Sequence, residues 1–300
     1  MPAARALIEK KMSSQLLFAA KELGFELCGV TVAEPPKHFD AFERWLQAGR
    51  NADMVHFVRN FEARKHPESL LPGVRSILML GVSYAKVLNS EPHPIQQLRG
   101  IVEYARGTDY HRWIRHRLEM LAEKHRELFP EGRCRGTVDT APILEKQYAA
   151  VAGLGTIGKN TLLIHPRLGS KLFLATFLST ERLEPTPLPE PFDPCGECQR
   201  CLNGCPTGAL TEPFVLDARR CLSYWTLIHR GELPEEIAAQ RGNRFLGCDT
   251  CQRVCPHNQA IPVIPEGTFD PFSLDRDELR RFLAGSPIKL FLDSSKPENP

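Results

Sequence analysis

Three hundred residues, 42 % hydrophobic and 25 % charged, describe a soluble globular chain with room for one large domain or two ordinary ones. A formal net charge of +2 is too small to demand a nucleic-acid partner without a local basic patch. The opening Met1–Lys11 lacks the apolar core of a signal peptide, and no run approaches the ~18 apolar residues of a membrane span. A cytoplasmic protein with no membrane partner is expected, and there ten cysteines mean metal or redox chemistry rather than disulfides.

In chain order, Ser13 or Ser14 is the expected cap of a helix running to about Glu22 and closing at Gly24, with Leu16, Leu17, Ala20 and Leu23 as its apolar stripe. Leu27–Ala33 reads as a strand, and a further helix follows Pro35-Pro36 over Phe39–Ala48. Ala63–Gly73 is a loop or short helix ended by Pro72-Gly73, and Arg75–Tyr84 is a second buried strand. Lys86–Leu98 is expected to be loop. The helix that follows runs through Leu128, with Ile114, Leu118 and Leu121 facing the core. Its other side carries Arg112, Arg115, His116 and Arg117, either a phosphate contact or a solvated face.

Arg135–Asp139 reads as a short strand delivering an aspartate to its end, where ligands gather in α/β sheets. Asp139 is alternatively the cap of a helix over Ile143–Ala152. Gly153-Leu-Gly155-Thr-Ile-Gly158 is formally a dinucleotide fingerprint, but a helix precedes it where that motif needs a strand, so NAD binding is rejected. Its glycines still suit a backbone that comes close to a large ligand. Strands over Thr161–Ile164 and Lys171–Leu178 flank a turn at His165–Gly169. Five prolines between Glu181 and Pro194 make a stiff extended linker. The expected organisation is an α/β domain over 1–184, a ferredoxin-like module over 185–262 and an extension over 263–300 with one helix near 274–283.

The module is defined by its cysteines. Cys195, Cys198, Cys201 and Cys205 with Pro206 form C-x2-C-x2-C-x3-C-P, the run that holds iron–sulfur cubanes and sends its fourth cysteine to another cluster. Cys248, Cys251 and Cys255 with Pro256 repeat it without one leading cysteine, and Cys221 is the nearby substitute. Eight thiolates suffice for two [4Fe-4S] clusters. The exchange rule assigns Cys195, Cys198, Cys201 and Cys255 to one, and Cys205, Cys221, Cys248 and Cys251 to the other. Zinc knuckles and disulfides are the competing uses of such cysteines. Cys28 and Cys134 lie outside this set and read as small buried hydrophobes.

Several motifs in order resemble the epoxyqueuosine reductase family: Leu71–Leu78, Tyr104–His111, Val138–Pro142, Gly153–Asn160, both cysteine runs, Cys221–Tyr224, Gly247–Gln252 and Gly285–Ile288. The resemblance implies an α/β cobalamin-binding domain like that of reductive dehalogenases, set against the two clusters. It implies reduction of the epoxide of epoxyqueuosine to the alkene of queuosine at the wobble position of tRNA. An external low-potential donor would feed the clusters, which relay electrons to a Co(I) cobalamin. Asp139 would be the proton donor. Cobalamin contacts are implied at Arg64, Asp139, Lys159, Asn160, Leu163, Ser223, Tyr224 and Asp249. Plain alternatives are a surface salt bridge for Arg64, turn capping for Lys159 and Asn160, and a core aromatic for Tyr224. Trp113 and Trp225 read as packing residues. Thr156 and His257 stand where the family usually has tryptophan. The chain also ends soon after Ile288, where longer members continue into a helical-repeat tail; if that tail helps hold tRNA, this chain would bind it more weakly or by other surfaces. A monomer is expected. Rival functions are a cobalamin reductase of a small molecule and a non-catalytic two-cluster electron carrier.

Overall fold

The structure, a computed structural model, describes residues 2–85, 100–105 and 109–259. The expected loop over 86–98 and the expected helix near 274–283 fall outside the described residues. In chain order the first part comprises α1 (Pro2–Glu22), β1 (Leu27–Val32), α2 (Phe39–Gln47), α3 (His56–Arg59), α4 (Phe61–Lys65), β2 (Ser76–Ser83), α5 (Tyr110–Leu128), β3 (Cys134–Thr137), α6 (Glu145–Val151), β4 (Thr156–Ile157), β5 (Leu163–Ile164) and β6 (Leu172–Ser179). The second comprises α7 (Arg200–Gly204), β7 (Leu210–Glu212), β8 (Val215–Leu216), a π-turn over Tyr224–Ile228, α8 (Glu235–Arg241) and α9 (Thr250–Arg253). No helix among the described residues is long and apolar enough to cross a membrane.

The main sheet has four strands in the order β1-β2-β6-β3, every neighbour antiparallel. Central β2 is buried along its whole length because both its faces are covered. Alternation sends Leu78, Leu80 and Val82 to one side, where they pack with Leu16 and Ala20 of α1 and Ile114, Leu118 and Leu121 of α5. Ile77 and Met79 go to the other, against Tyr148, Ala149 and Ala152 at α6. The fold is thus mixed α/β in three layers, helices on either side of an antiparallel sheet. The strand-end crevice of parallel sheets therefore does not place Asp139; the turn after β3 does.

Helix α1 starts at Pro2, well before the serines expected to cap it. Ser14 Oγ instead donates to the Lys10 carbonyl at 3.0 Å, and Ser13 Oγ accepts from the Glu184 backbone at 3.0 Å. The proline-rich stretch is no free spacer. Thr186 N donates to the Val30 carbonyl at 2.9 Å, and its hydroxyl accepts from Val30 N at 2.9 Å, so the linker covers the open edge of β1. Cys28 and Cys134 pack on the core, and burial, only partly offset by Lys21, pushes the Cys28 thiol up to about 12. No disulfide joins any of the ten cysteines.

A buried polar knot joins the two parts. Tyr84 at the end of β2 donates to Gln252 Oε1 at 3.1 Å, and Gln252 Nε2 donates to the Ser170 carbonyl at 2.9 Å. Asn258 closes it, donating to Ser170 Oγ at 3.0 Å and to the Gln252 carbonyl at 2.8 Å, and accepting from Ser170 N at 2.8 Å. Gly169 makes room for this contact. Its φ is +62°, and an added Cβ would lie 2.1 Å from Asn258 Oδ1 and 2.5 Å from the His257 carbonyl. Gly169→Ala should therefore lower stability by about 1–3 kcal/mol. A chemical-denaturation midpoint equal to that of the unaltered protein would show that the loop can yield.

Candidate active site

Helices α7 and α9 pack together, α7 carrying Cys201 and α9 carrying Cys251. The thiols that act on one another sort into two sets. Cys201 feels Cys195 and Cys255, and Cys255 feels Cys195 and Cys198. Cys221 feels Cys248 and Cys205, while Cys251 feels Cys221, Cys248 and Cys205, with Cys201 a lesser neighbour from the other set. Burial first, then these neighbours, pushes the Cys251 thiol up to about 12. Buried, mutually repelling thiols are the donor set that a cationic iron centre compensates, since metal binding favours the thiolate that burial penalises. Among the described residues no three His, Cys, Asp or Glu side chains converge to hold one metal ion. A cubane is wider and keeps its four thiolates at separate corners.

Donors already point at the sulfurs. Lys159 N reaches Cys195 Sγ at 3.3 Å, and Ala209 N reaches Cys205 Sγ at 3.2 Å. At Cys205 burial raises the thiol, but backbone N–H groups of Leu210, Thr207 and Ala209 and the Thr207 hydroxyl together outweigh it and hold the thiol low. Hydrogen bonds to sulfur are one of the levers that set a cluster's potential.

A second group forms where α5 begins. Asp109 caps the helix by accepting from His111 N at 3.0 Å. Asp139 sits just past β3 at φ +53°, a left-handed conformation that a non-glycine residue adopts only when its surroundings hold it. The hold is visible. Its backbone N donates to Glu145 Oε1 at 3.2 Å, the Tyr110 hydroxyl donates to Oδ2, and His111 Nε2 lies 3.3 Å from the same oxygen. Tyr110 stacks on Phe173 with centroids 3.9 Å apart. Asp139 does not cap a helix: α6 starts at Glu145, and no side chain caps it.

The proton inventory follows. His111 lies between Asp139 and Asp109, the latter 2.7 Å from Nδ1. The bond to Asp139 is the largest influence, and with Asp109 it overcomes burial to favour the imidazolium. Burial, then the charge of Asp139, lifts the Glu145 carboxyl to about 8, so it is mostly protonated near neutrality. Tyr110 is raised far out of reach by burial and Asp139, so it stays a phenol. Lys146, next on α6, donates to the Thr161 carbonyl at 2.7 Å. It is exposed to solvent yet surrounded by protein, and it lies near enough to Cys251 to feel its charge. Lys146 also feels Glu145, so it stands between the acid group and the second cysteine set.

The other candidates are partly engaged elsewhere. Arg64 is buried, donates to the His56 carbonyl at 3.2 Å and lies over the Phe57 ring, which disposes of a surface salt bridge. Lys159 spends its ammonium on the Gly196 and Cys198 carbonyls at 2.5 and 3.1 Å, bracing the first cysteine loop. Asn160 Oδ1 accepts from Leu162 N at 3.2 Å, and Leu163 is a core residue of β5. The glycine-rich turn serves the protein itself: a Cβ on Gly155 would lie 2.5 Å from the Ile164 carbonyl, and one on Gly158 2.4 Å from its side chain. Ser223 Oγ bridges to the Cys248 backbone, and Tyr224 is buried with its hydroxyl on Asp53 Oδ2 at 2.9 Å. Asp249 Oδ1 pairs with Arg253 at 3.1 Å, while its Oδ2 is buried without a partner. Trp113 packs edge-on to Phe25 with Arg117 over its face, and Trp225 donates to the Arg219 carbonyl. In the sequence Tyr110 and His111 stand out only as part of a motif, and Glu145 not at all; its one signal is an acidic residue six places past Asp139 that opens a helix.

These features define a two-cluster iron–sulfur protein, and residues 194–258 match the family model described as a 4Fe-4S double cluster binding domain. Residues 64–140 match the model for epoxyqueuosine reductase QueG. The epoxyqueuosine reductase of Pseudomonas aeruginosa is 40 % identical over 272 residues, 86 % of this chain and 72 % of that one. An epoxyqueuosine reductase solved with an epoxyqueuosine-modified tRNA-Tyr stem loop aligns with TM-score 0.74 and 31 % identity, over 90 % of this chain and 75 % of that one. The Bacillus subtilis enzyme, solved with its catalytic aspartate loop swung out of the active site, aligns with TM-score 0.74 and 31 % identity, over 87 % and 69 %. The chain belongs to the epoxyqueuosine reductase family. It is an oxidoreductase with two [4Fe-4S] clusters, which sets aside the zinc, disulfide and passive-carrier readings.

Two expectations follow. Cys205→Ser should remove the cluster of the second set and spare the first, roughly halving bound iron. Loss of the first cluster's spectroscopic signature instead would refute the sorting. Glu145 has a folded value of about 8 against 4.5 when free, so its contribution to stability is whole below the unfolded value and is lost as pH rises through about 8. Glu145→Gln should therefore flatten the decline in stability between about pH 5 and pH 9; an unaltered slope of the denaturation midpoint against pH would contradict the assignment.

Proposed function

We propose that this chain reduces epoxyqueuosine in tRNA to queuosine, with Asp139 as proton donor and a cobalamin seated between Asp139, Lys146 and the second cysteine set. Each cysteine set holds one cubane. The observation that carries the reading is one partly exposed carboxyl held in a strained turn by Tyr110, His111 and Glu145, with Lys146 linking Glu145 to Cys251 of the second cysteine set. The residues fit a large polar cofactor: Lys146 offers an exposed ammonium there, and Asp249 has a buried oxygen in want of a donor. When bound, cobalamin would supply a strongly reducing metal centre next to the substrate.

Removal of an epoxide oxygen as water takes two electrons and two protons. An alkoxide is a poor leaving group, so a placed acid lowers the barrier, by a factor of ~10²–10⁴ in general acid catalysis. Tyr110 donates to Oδ2 of Asp139 and His111 faces the same atom, which leaves Oδ1 to present the proton to the substrate. The relatives support both the tRNA substrate and the role of the aspartate, one being solved with a tRNA stem loop and another described by its catalytic aspartate loop. Exposed Arg115 and His116 on α5, whose first turn carries Tyr110 and His111, suit phosphate contacts.

Asp139→Asn should retain iron and cobalamin binding but lower turnover of epoxyqueuosine-containing tRNA at least ~10²-fold. Turnover close to that of the unaltered enzyme would end the acid role.

A further inference from the structure

The overall reaction consumes two protons, yet Asp139 holds one at a time. Tyr110 does not carry the other, because burial and the Asp139 carboxylate keep it a phenol. Glu145 does not either, because its bond is to the backbone N–H of Asp139 and not to the carboxyl; it fixes the turn. His111 alone among these groups has a titratable nitrogen against the carboxyl itself, Nε2 to Oδ2 at 3.3 Å, while its other nitrogen is anchored by Asp109 at 2.7 Å. The ring is partly open to solvent, its side chain 27 % exposed, so it can be reloaded between turnovers.

We propose that His111 is a positioning and proton-relay residue that reloads Asp139 within a single turnover. This rests on Asp139 being the acid. The first proton passes from Asp139 to the epoxide oxygen as one C–O bond breaks, leaving a hydroxyl and an Asp139 carboxylate. The imidazolium Nε2–H then passes to Asp139 Oδ2, leaving a neutral ring that keeps its Nδ1–H on Asp109. A half-turn of the carboxyl about Cβ–Cγ carries the protonated oxygen to the substrate and leaves the other oxygen facing Tyr110 and His111; Asp139 then delivers this second proton as the remaining C–O bond breaks and water departs. The two electrons are supplied by an external low-potential one-electron donor, and solvent restores both protons afterwards. The titratable and charged groups facing the ring are Asp109 and Tyr110 from the start of α5, Asp139 from the turn after β3, and Glu145 from α6. The bond to Asp139 and then Asp109 outweigh burial and favour the charged ring.

The test is the pH profile of kcat for His111→Gln in the fully loaded enzyme with modified tRNA. Glutamine keeps a hydrogen bond to Asp139 but carries no proton. The variant should run within about 3-fold of the unaltered enzyme near pH 6, where solvent acids reload Asp139, and fall ~10-fold or more near pH 8.5, with added imidazole restoring part of the loss. Asp109→Asn, which preserves the helix cap, should move the alkaline limb about one unit toward lower pH. A His111→Gln profile matching the unaltered enzyme up to about pH 9 overturns the relay, as does an equal loss at every pH that imidazole does not relieve. An Asp139→Asn enzyme that turns over normally defeats the acid assignment itself. An inactive Asp139→Asn beside an unaffected His111→Gln defeats only the relay.

Discussion

The architecture depends on a buried amide. Gln252 lies between two cluster cysteines in sequence but spends its side chain on Tyr84 and Ser170, at the ends of the two central strands. Each such bond contributes only about 1 kcal/mol net, yet leaving any of these groups unpaired in the interior would cost about 1–3 kcal/mol. The asymmetry makes the contact all-or-none, and Asn258 and Gly169 complete it from either side. The iron–sulfur module is thereby held against the sheet in one orientation, and a relay of electrons between two modules needs such a fixed separation.

The same rigidity explains why Asp139 can occupy an unfavourable backbone conformation. A left-handed non-glycine residue costs of order 1–3 kcal/mol, and three separate elements supply the hold: Tyr110 and His111 from α5, Glu145 from α6, and the strand that precedes it. The carboxyl is aimed by this restraint rather than by a rotamer of its own choosing.

Electrostatics and burial compete throughout the site, and the winner differs by residue. Burial dominates at Glu145 and Cys251 and drives both toward their neutral forms. At His111 two carboxylates overcome it, and at Cys205 a ring of hydrogen-bond donors does. Glu145, driven toward its neutral form, and His111, favoured in its charged form, flank one aspartate, a difference set by which partner each side chain faces.

The sequence alone determined what local spacing controls. Three cysteines within seven residues, followed by Cys205-Pro206, wrap a loop whose geometry hardly depends on the rest of the chain, and the hydrophobic periods of α5 and β2 are equally local. It also singled out Asp139, Lys159 and the glycine-rich turn, but not their partners. Tertiary structure alone decided that Lys159 braces the first cysteine loop, that Gly155 serves β5, that the prolines seal β1, and that Tyr110, His111 and Glu145 gather on Asp139. Those pairings join side chains brought together by packing, such as Tyr84 and Gln252, 168 positions apart. No local propensity encodes a contact at that separation; it exists only once two cores and a buried polar knot have chosen a single arrangement.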